Sequence, residues 1–199
     1  MLKVSNLSCT RGERLLFANL GFALNAGECV HVQGDNGSGK TSLLRLLVGL
    51  SPAESGEIRW RGELQADSSM REDLIYLGHH AAVNGDLSAL ENLHFAAMRD
   101  GGALDSSQAD HALRRMGLSG REDLPVRVLS AGQKRRVLLS HLLIRQAKLW
   151  VLDEAFNALD VGAVDVLNQL IGQHLESGGA LVLTSHQPLA IQNVQVLKL

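Results

Sequence analysis

The pattern of apolar and polar residues divides the chain into three stretches. In the first stretch, short apolar segments alternate with turn residues, which is typical of β-strands joined by tight turns. The leucines between residues 43 and 50 depart from this pattern, because they recur every three or four positions and predict a helix. The predicted strands of the first stretch are 3–10, 15–24, 28–33, 57–60 and 74–77.

Helical periodicity dominates the middle stretch, which begins at about residue 89. Ser88 and Glu91 have the spacing of a capping box and predict the start of a helix. Asp105 or Ser106 can cap a second helix that runs to about residue 116. A third helix is predicted for 131–145.

The last stretch alternates between strands and a helix. Strands are predicted at 149–152 and 180–184, with a helix at 164–175 between them. Such alternation implies a parallel sheet with crossover helices, so the predicted fold class is α/β. A chain of 199 residues has the length of one domain, with room for an inserted lobe.

Composition excludes several classes of protein. A hydrophobic content of 45% and a charged content of 20% are globular values, and a net charge of −2 gives no support for nucleic-acid binding. No run of 18 apolar residues occurs, so we expect a chain that does not span a membrane, although it can dock on a partner that does. Cys9 and Cys29 lack the spacing of a metal site, and no signal peptide is apparent. We therefore expect reduced thiols in a cytosolic protein.

A glycine-rich segment between a predicted strand and a predicted helix carries the strongest chemical signal. It fits the pattern GxxxxGK[ST], in which glycines let backbone amides turn toward a polyphosphate. Lys40 would bring a cation to the β- and γ-phosphates, and Thr41 a hydroxyl to Mg²⁺. The alternative, a glycine-rich turn with a chance lysine, is disfavoured by the flanking elements. The candidate nucleotide-binding residues are Gly34, Asp35, Asn36, Gly37, Ser38, Gly39, Lys40, Thr41 and Ser42.

Two acidic residues follow the apolar strand predicted at 149–152. Ligand chemistry in parallel sheets takes place at the carboxyl ends of the strands. At such a position Asp153 can hold Mg²⁺, and Glu154 can orient and deprotonate an attacking water. Taken alone, the pair is equally well explained as a solvated acidic turn. Together with a phosphate loop, it favours nucleotide hydrolysis.

A helix predicted to begin near residue 131 has small residues in its first turn. Ser130 is a good N-cap, and the following residues leave the backbone donors open to a second phosphate group. The local alternative is an ordinary capped helix whose basic residues, 134–136, form a solvated face. The candidate phosphate-binding residues here are Ser130, Ala131, Gly132 and Gln133.

Five motifs stand in the order and spacing of ABC-transporter ATPases, which the chain resembles over its whole length. They are 34–41, 129–133, 151–154, Ala158–Asp160 and His186. The resemblance implies a P-loop NTPase of the ABC type, with an antiparallel β region and a helical subdomain inserted at about 81–145. It also implies ATP and Mg²⁺ as cofactors. In that family the 129–133 motif of one ATPase subunit completes the site of a second subunit in a head-to-tail dimer. Asp160 would lie at the interface between the two subunits, and His186 would contact the γ-phosphate.

A narrower resemblance is to the ATPase subunits of bacterial cytochrome c maturation transporters. It implies heme export or delivery for c-type cytochromes, integral membrane permease subunits as partners, and a peripheral position on the cytoplasmic face of the inner membrane. The alternatives are the ATPase of another small-substrate exporter and a non-transport ABC switch. The residues that carry this resemblance are 25–28, 41–47, 76–79, 89–95, 129–136 and 184–189.

Four positions depart from the usual pattern of the family. His80 stands where a glutamine normally touches Mg²⁺ or the attacking water, so His80 is a candidate catalytic and metal-binding residue in its neutral form. The aromatic residue that usually stacks on adenine is missing, and residues 9–11 stand in its place, where Arg11 can stack its guanidinium on the base. Asp35 should weaken nucleotide binding unless it points away, and Ala155 in place of proline makes its turn less rigid. Neutral substitution is the alternative for each.

Overall fold

A computed structural model describes residues 1–79, 82–187, 189, 191 and 194–199. The chain divides into two compact units, each with its own hydrophobic core. The strand-rich unit comprises Met1–Tyr76, Ala147–Glu154 and Ile171–Leu199. The helical unit comprises Leu77–Gln146 and Ala155–Leu170, and its first range contains the whole stretch, about 81–145, that the sequence assigns to a helical subdomain.

An antiparallel sheet in the strand-rich unit accounts for the first stretch of the sequence pattern. Its strand order is β2-β1-β4-β5, and every pair in it is antiparallel. The two-residue strand β5 was not predicted from the sequence, because so short a strand leaves no alternation to detect. The strands are β1 (Leu2–Arg11), β2 (Arg14–Leu24), β4 (Ser55–Trp60) and β5 (Glu63–Leu64).

A second sheet in the same unit has the order β6-β7-β8-β3-β9. Three of its pairs, β7 with β8, β8 with β3, and β3 with β9, are parallel. All residues of β7 and β8 are buried, which explains why they form continuous apolar runs in the sequence. Strand β9 was not predicted, although three of its five residues, Val194, Val196 and Leu197, are apolar. The strands are β3 (Cys29–Gln33), β6 (Leu74–Leu77), β7 (Leu149–Leu152), β8 (Ala180–Thr184) and β9 (Val194–Lys198).

Three helices contribute to the strand-rich unit. Helix α1, Lys40–Leu47, buries four of the leucines whose spacing predicted it, whereas Leu50 lies beyond its end and is exposed. Helix α2 is the single turn Met70–Asp73, and α7, Val161–Glu176, contributes residues to both units. Helix α7 has 16 residues, and no helix in the described part of the chain is both long and apolar enough to cross a bilayer.

The helical unit contains the capping box that the sequence predicted. Glu91 N donates to Ser88 Oγ over 3.1 Å, and Ser88 N donates to Glu91 Oε2 over 2.7 Å. These bonds satisfy free amides at the start of α3. The helices are α3 (Ala89–Arg99), α4 (Ser106–Arg115), a 3₁₀ turn (Val126–Val128), α5 (Ala131–Leu139) and α6 (His141–Ile144).

The prediction of one continuous helix over 131–145 was wrong. Helix α5 ends at Leu139, and the separate turn α6 follows Ser140. Ser140 Oγ donates to the Arg136 carbonyl oxygen over 2.9 Å, in competition with the backbone ladder of the helix. A serine that bonds four residues back in this way bends or interrupts a helix.

Candidate functional site

The glycine-rich loop between β3 and α1 has the geometry that its sequence pattern requires. Gly34 and Gly39 have φ angles of +156° and +111°, which residues with a Cβ rarely adopt. A Cβ on Gly34 would lie 2.5 Å from Ser38 Oγ, and one on Gly39 would lie 3.1 Å from Leu16 Cβ. These glycines therefore cannot be replaced without moving the loop, and their absent side chains leave its backbone open to an anion.

Lys40 and Ser38 place two further candidate groups for phosphate binding at this loop. Lys40 Nζ donates to the carbonyl oxygen of Gly34 over 2.7 Å and to that of Asp35 over 3.1 Å. The ammonium is thus held over the loop itself. Ser38 Oγ is buried and has no hydrogen-bond partner among the residues described. A buried hydroxyl without a partner is unfavourable, and a phosphate oxygen would satisfy it.

Asp153 lies at the carboxyl end of β7 and is held by two threonines. Thr41 Oγ1 donates to Asp153 Oδ2 over 2.8 Å, and Thr184 Oγ1 donates to Asp153 Oδ1 over 2.7 Å. The carboxylate is only 1% exposed. The described residues contain no cluster of three or more His, Cys, Asp or Glu side chains. Oxygen donors from one carboxylate and one hydroxyl fit Mg²⁺ that takes its remaining ligands from phosphate and water.

Glu154 has an unusual backbone conformation and a partly unsatisfied carboxylate. Its φ angle is +52°, a left-handed conformation that costs a non-glycine residue on the order of 1–3 kcal/mol. The backbone amide of Glu154 donates to Thr184 Oγ1 over 2.8 Å and holds this turn. The residue is buried, and its Oε2 atom has no hydrogen-bond partner within the described residues. The other oxygen, Oε1, lies 3.3 Å from His186 Nε2.

His186 and Lys40 line one cavity of about 370 Å³ in the strand-rich unit. The His186 side chain is 59% exposed, in contrast to the buried Glu154 beside it. The Lys40 ammonium of the phosphate loop and the exposed His186 imidazole therefore face the same cavity. The other residues around it are His31, Val32, Gln33, Gly34, Ser185, Gln187 and Leu189.

Ser130 caps α5, as the sequence predicted. Gln133 N donates to Ser130 Oγ over 3.3 Å, and Ser130 N donates to Gln133 Oε1 over 2.9 Å. Ala131 lies between them at the helix start and is exposed. A Cβ on Gly132 would lie 2.5 Å from the Ala158 carbonyl oxygen. Glycine is therefore required at this position by the segment that leads to Asp160.

Asp160 is tied to two neighbouring elements of the helical unit. Its Oδ1 atom accepts a 2.9 Å hydrogen bond from the backbone amide of Ala163, at the start of α7. Its Oδ2 atom pairs with the guanidinium of Arg136 on α5. The Ala163 amide, together with the Arg136 charge, lowers the pKa of Asp160. Asp160 thus stays ionised and links α5 to α7.

The alternative interpretation, in which residues 134–136 form a solvated basic face, does not hold for Arg135. Its side chain is buried, because the guanidinium donates to the Gly78 carbonyl over 2.8 Å and to that of Ala155 over 3.4 Å. Backbone carbonyls replace the water that a solvated arginine would bind. Periodicity in one turn of helix could not reveal these partners, which lie 57 and 20 residues away along the chain.

The structure leaves the adenine-contacting residue open and adds a candidate. Arg11 is exposed at the end of β1 and pairs in register with Arg14 at the start of β2. A Cβ on Gly37 would lie 3.9 Å from Arg14 Nη1, which places the Arg14 guanidinium beside the phosphate loop. Arg11 alone was predicted from the sequence, because nothing in the local pattern indicates that the Arg14 side chain turns toward the phosphate loop.

The remaining predicted residues have simpler positions. Asp35 and Asn36 are exposed on the phosphate loop, so Asp35 does not bury its charge there. Ser42 is half-buried in the first turn of α1. His80 lies outside the described residues, and its predicted catalytic and metal-binding roles stay predictions.

Comparison with protein families decides the class of this site. A model of the ABC transporter family matches residues 17–157, which include the phosphate loop, the start of α5 and the Asp153–Glu154 pair. The chain belongs to the ABC transporter family. It is an ABC-type ATPase that binds ATP, as its five motifs predicted, and the resemblance stated from the sequence is confirmed.

Relatives of this ABC ATPase match it from end to end. Two relatives, from Escherichia coli O157:H7 and Shigella dysenteriae serotype 1, are 49% identical over 201 residues. A third, from Escherichia coli K12, is 48% identical. Each alignment covers 100% of this chain and 95% of the relative. All three relatives are named cytochrome c biogenesis ATP-binding export protein CcmA.

Solved structures of ABC ATPases have the same fold. An ATP-binding protein of a putative ABC transporter from Pyrococcus furiosus has a TM-score of 0.86 at 23% identity, covering 100% of this chain and 96% of its own. A bacterial ABC transporter cassette described as dimeric has a TM-score of 0.81 at 23% identity, covering 100% of this chain and 94% of its own. The predicted fold, an ABC-type domain with an antiparallel and a parallel sheet, is confirmed.

Proposed function

We propose that this ABC ATPase drives an exporter that acts in cytochrome c biogenesis, with heme as the exported or delivered cargo. The observation that carries this proposal is the 49% identity, along the whole chain, to relatives named for ATP-dependent export in that process. Identity at this level, over 201 aligned residues, involves many more positions than the nucleotide-binding motifs contain. A shared ATPase mechanism alone would preserve the nucleotide-binding motifs and leave those surfaces free to diverge.

The geometry supports a defined division of roles in ATP hydrolysis. The loop amides, Ser38 and Lys40 bind the β- and γ-phosphates, while Glu154 orients a water and accepts its proton. The free Oε2 of Glu154 is available for that water. His186, beside Glu154 and in the cavity shared with Lys40, contacts the γ-phosphate.

Thr41 and Asp153 are the residues that would hold Mg²⁺. When bound, the ion neutralises charge on the β- and γ-phosphate oxygens. Thr184 keeps the Asp153 carboxylate turned toward Thr41, because it occupies the opposite carboxylate oxygen. The protein thereby orients its one buried carboxylate ligand before the nucleotide arrives.

The functional unit is a head-to-tail dimer of two ATPase subunits on integral membrane permease subunits. Ser130, Ala131, Gly132 and Gln133 of one subunit complete the site of the other, at an α5 start whose capping box keeps it ordered. The cytoplasmic face of the bacterial inner membrane is the proposed location, and nucleic acid is not a partner. A net charge of −2 is consistent with that last point.

The test is complementation of a strain that lacks the gene for this chain. The wild-type chain should restore c-type cytochromes with covalently bound heme, as detected by heme staining of a denaturing gel. Glu154→Gln at equal abundance should not. Normal c-type cytochromes in the deletion strain would refute the proposed process. That result would favour another small-substrate exporter or a non-transport ABC switch.

A further inference from the structure

The segment that carries His186 is held in place at several points. Thr184, at the end of β8, is bonded through its side chain to Asp153 and Glu154. Ser185 Oγ accepts a 2.9 Å hydrogen bond from Gln187 N and donates to the Gln187 carbonyl over 3.1 Å, so the turn around His186 closes on itself. One side chain from another strand also reaches this backbone. His31 Nε2, on β3, lies 3.1 Å from the Ser185 carbonyl oxygen.

Each ring nitrogen of His31 has a matched hydrogen-bond partner. The Ser185 carbonyl can only accept, so His31 Nε2 donates to it. The other ring nitrogen, Nδ1, lies 3.1 Å from Gln33 Nε2, an amide donor, and therefore accepts. Both nitrogens are thus satisfied, although His31 is only 7% exposed. A buried side chain with two matched partners has one well-defined orientation.

The position of His31 joins two parts of the ATP site. His31 and Gln33 are two residues apart on β3 and lie on the same face of the strand. Strand β3 runs directly into the phosphate loop, and both side chains line the cavity shared by Lys40 and His186. The imidazole therefore connects the strand before the phosphate loop to the peptide that precedes His186.

We propose that His31 is a positioning residue for ATP hydrolysis. By holding the Ser185 carbonyl, it directs the adjacent His186 toward the γ-phosphate position above Lys40. The inference rests on the role proposed above for His186. Loss of the hydrogen bond between His31 and Ser185 should lower turnover more than ATP binding, because His186 acts in the chemical step. Misplacement of such a group by about 1 Å can lower the rate by up to about 100-fold.

A matched pair of variants tests the hydrogen bond from His31 to the Ser185 carbonyl. The His31→Gln side chain is long enough to place an amide donor where Nε2 lies. The His31→Asn side chain carries the same amide but is one methylene shorter, so its amide does not reach Ser185. We expect His31→Asn to lower kcat about tenfold or more with KM for ATP within about twofold of wild type. His31→Gln should keep kcat within about threefold. Equal kcat values for the two variants would overturn the proposal.

A second variant covers the case in which His31→Asn fails to fold. Gln33→Leu removes the partner of Nδ1 at a half-buried position and leaves the imidazole in place. It should lower kcat several-fold with KM for ATP unchanged, because the ring loses one of the two bonds that orient it. An unchanged kcat in this variant would contradict the proposal.

The His186→Ala background separates this inference from the proposed function. If His31 acts through His186, adding His31→Asn to His186→Ala should cause no further loss of kcat. A further tenfold loss would show that His31 acts elsewhere. Full activity of His186→Ala would refute the role of His186 and, with it, this inference. A wild-type chain that does not hydrolyse ATP with its membrane subunits present would instead refute the proposed function.

Discussion

Thr184 Oγ1 donates a 2.7 Å hydrogen bond to Asp153 Oδ1, at the buried end of two adjacent parallel strands. The same hydroxyl accepts from Glu154 N, so one side chain fixes the carboxylate proposed to bind Mg²⁺ and the turn that carries the proposed general base. Thr184 lies 31 positions from Asp153 and 30 positions from Glu154 in the sequence. A single hydroxyl thus holds both acidic residues of the proposed site.

Thr184→Val should therefore impair both stability and turnover. The substitution conserves shape but removes the hydrogen bonds of the Thr184 hydroxyl to Asp153 Oδ1 and Glu154 N, and loss of such a bond at a buried polar group costs about 1–3 kcal/mol. We expect a lower free energy of unfolding in urea and a higher Mg²⁺ requirement for ATPase activity. Thr184→Ser keeps the hydroxyl and serves as the control. If the valine and serine variants had equal Mg²⁺ requirements, the role given to Thr184 would be wrong.

Glu154→Gln should keep ATP binding and lose hydrolysis. The amide cannot accept a proton from water, and loss of a general base costs about 100- to 10,000-fold in rate. ATP should remain bound in an accumulated dimer, measurable as retained nucleotide on gel filtration. Lys40→Ala should instead lose ATP binding. Hydrolysis by Glu154→Gln within about threefold of the wild type would remove Glu154 from the catalytic role.

Arg14→Ala should weaken ATP binding more than Arg11→Ala does. The Arg14 guanidinium lies beside Gly37 of the phosphate loop, and an exposed cation near bound nucleotide contributes about 1 kcal/mol, or roughly fivefold in Kd. The difference between the two variants should shrink at high salt, because exposed charges are screened. Isothermal titration with ATP at two salt concentrations measures both effects. A larger loss for Arg11→Ala would instead favour the residue predicted from the sequence.

Acid should destabilise the chain through His141 in the helical unit. Burial, with a smaller effect from Arg99, lowers the pKa of His141 to about 4, and its Nε2 atom has no hydrogen-bond partner among the residues described. Between pH 6.5 and about 4 the unfolded chain binds a proton at this residue that the folded chain does not, so the free energy of unfolding falls as the pH falls. The full loss is roughly 3 kcal/mol.

His141→Leu tests this pH dependence. The variant cannot titrate at position 141, so urea unfolding from pH 7.5 to pH 4 should show a shallower loss of stability than in the wild type. His174 is also buried, with a lowered pKa, and both proteins keep it, so its contribution cancels. Parallel stability curves for the two proteins would show that His141 does not carry the effect.

Two inactive chains should restore activity when mixed. Lys40→Ala removes the phosphate-loop cation, and Ser130→Arg blocks the α5 start that completes the partner's site. In a mixed pair, one of the two composite sites keeps both halves intact. ATPase activity should therefore return in a purified mixed dimer on its membrane subunits, and its absence there would contradict completion of the site between subunits.

The sequence by itself determined the features that depend on neighbouring residues. The glycines and Lys40 of the phosphate loop are contiguous, so their pattern carries the geometry of the loop. Capping at Ser88 and Ser130 was predictable, because each serine bonds a residue three positions away. The buried strands β7 and β8 were also predictable, since burial on both faces produces an unbroken apolar run.

Only the tertiary structure decided which distant side chains meet at the site. His31 contacts a carbonyl 154 residues away, and Thr41 contacts Asp153 across 112 residues. Arg135 is buried because carbonyl groups from two other segments surround its guanidinium. None of these pairings leaves a local periodicity in the sequence, because tertiary packing brings the partners together. The physical reason is that local patterns encode which face of an element is buried, while packing alone chooses the partner.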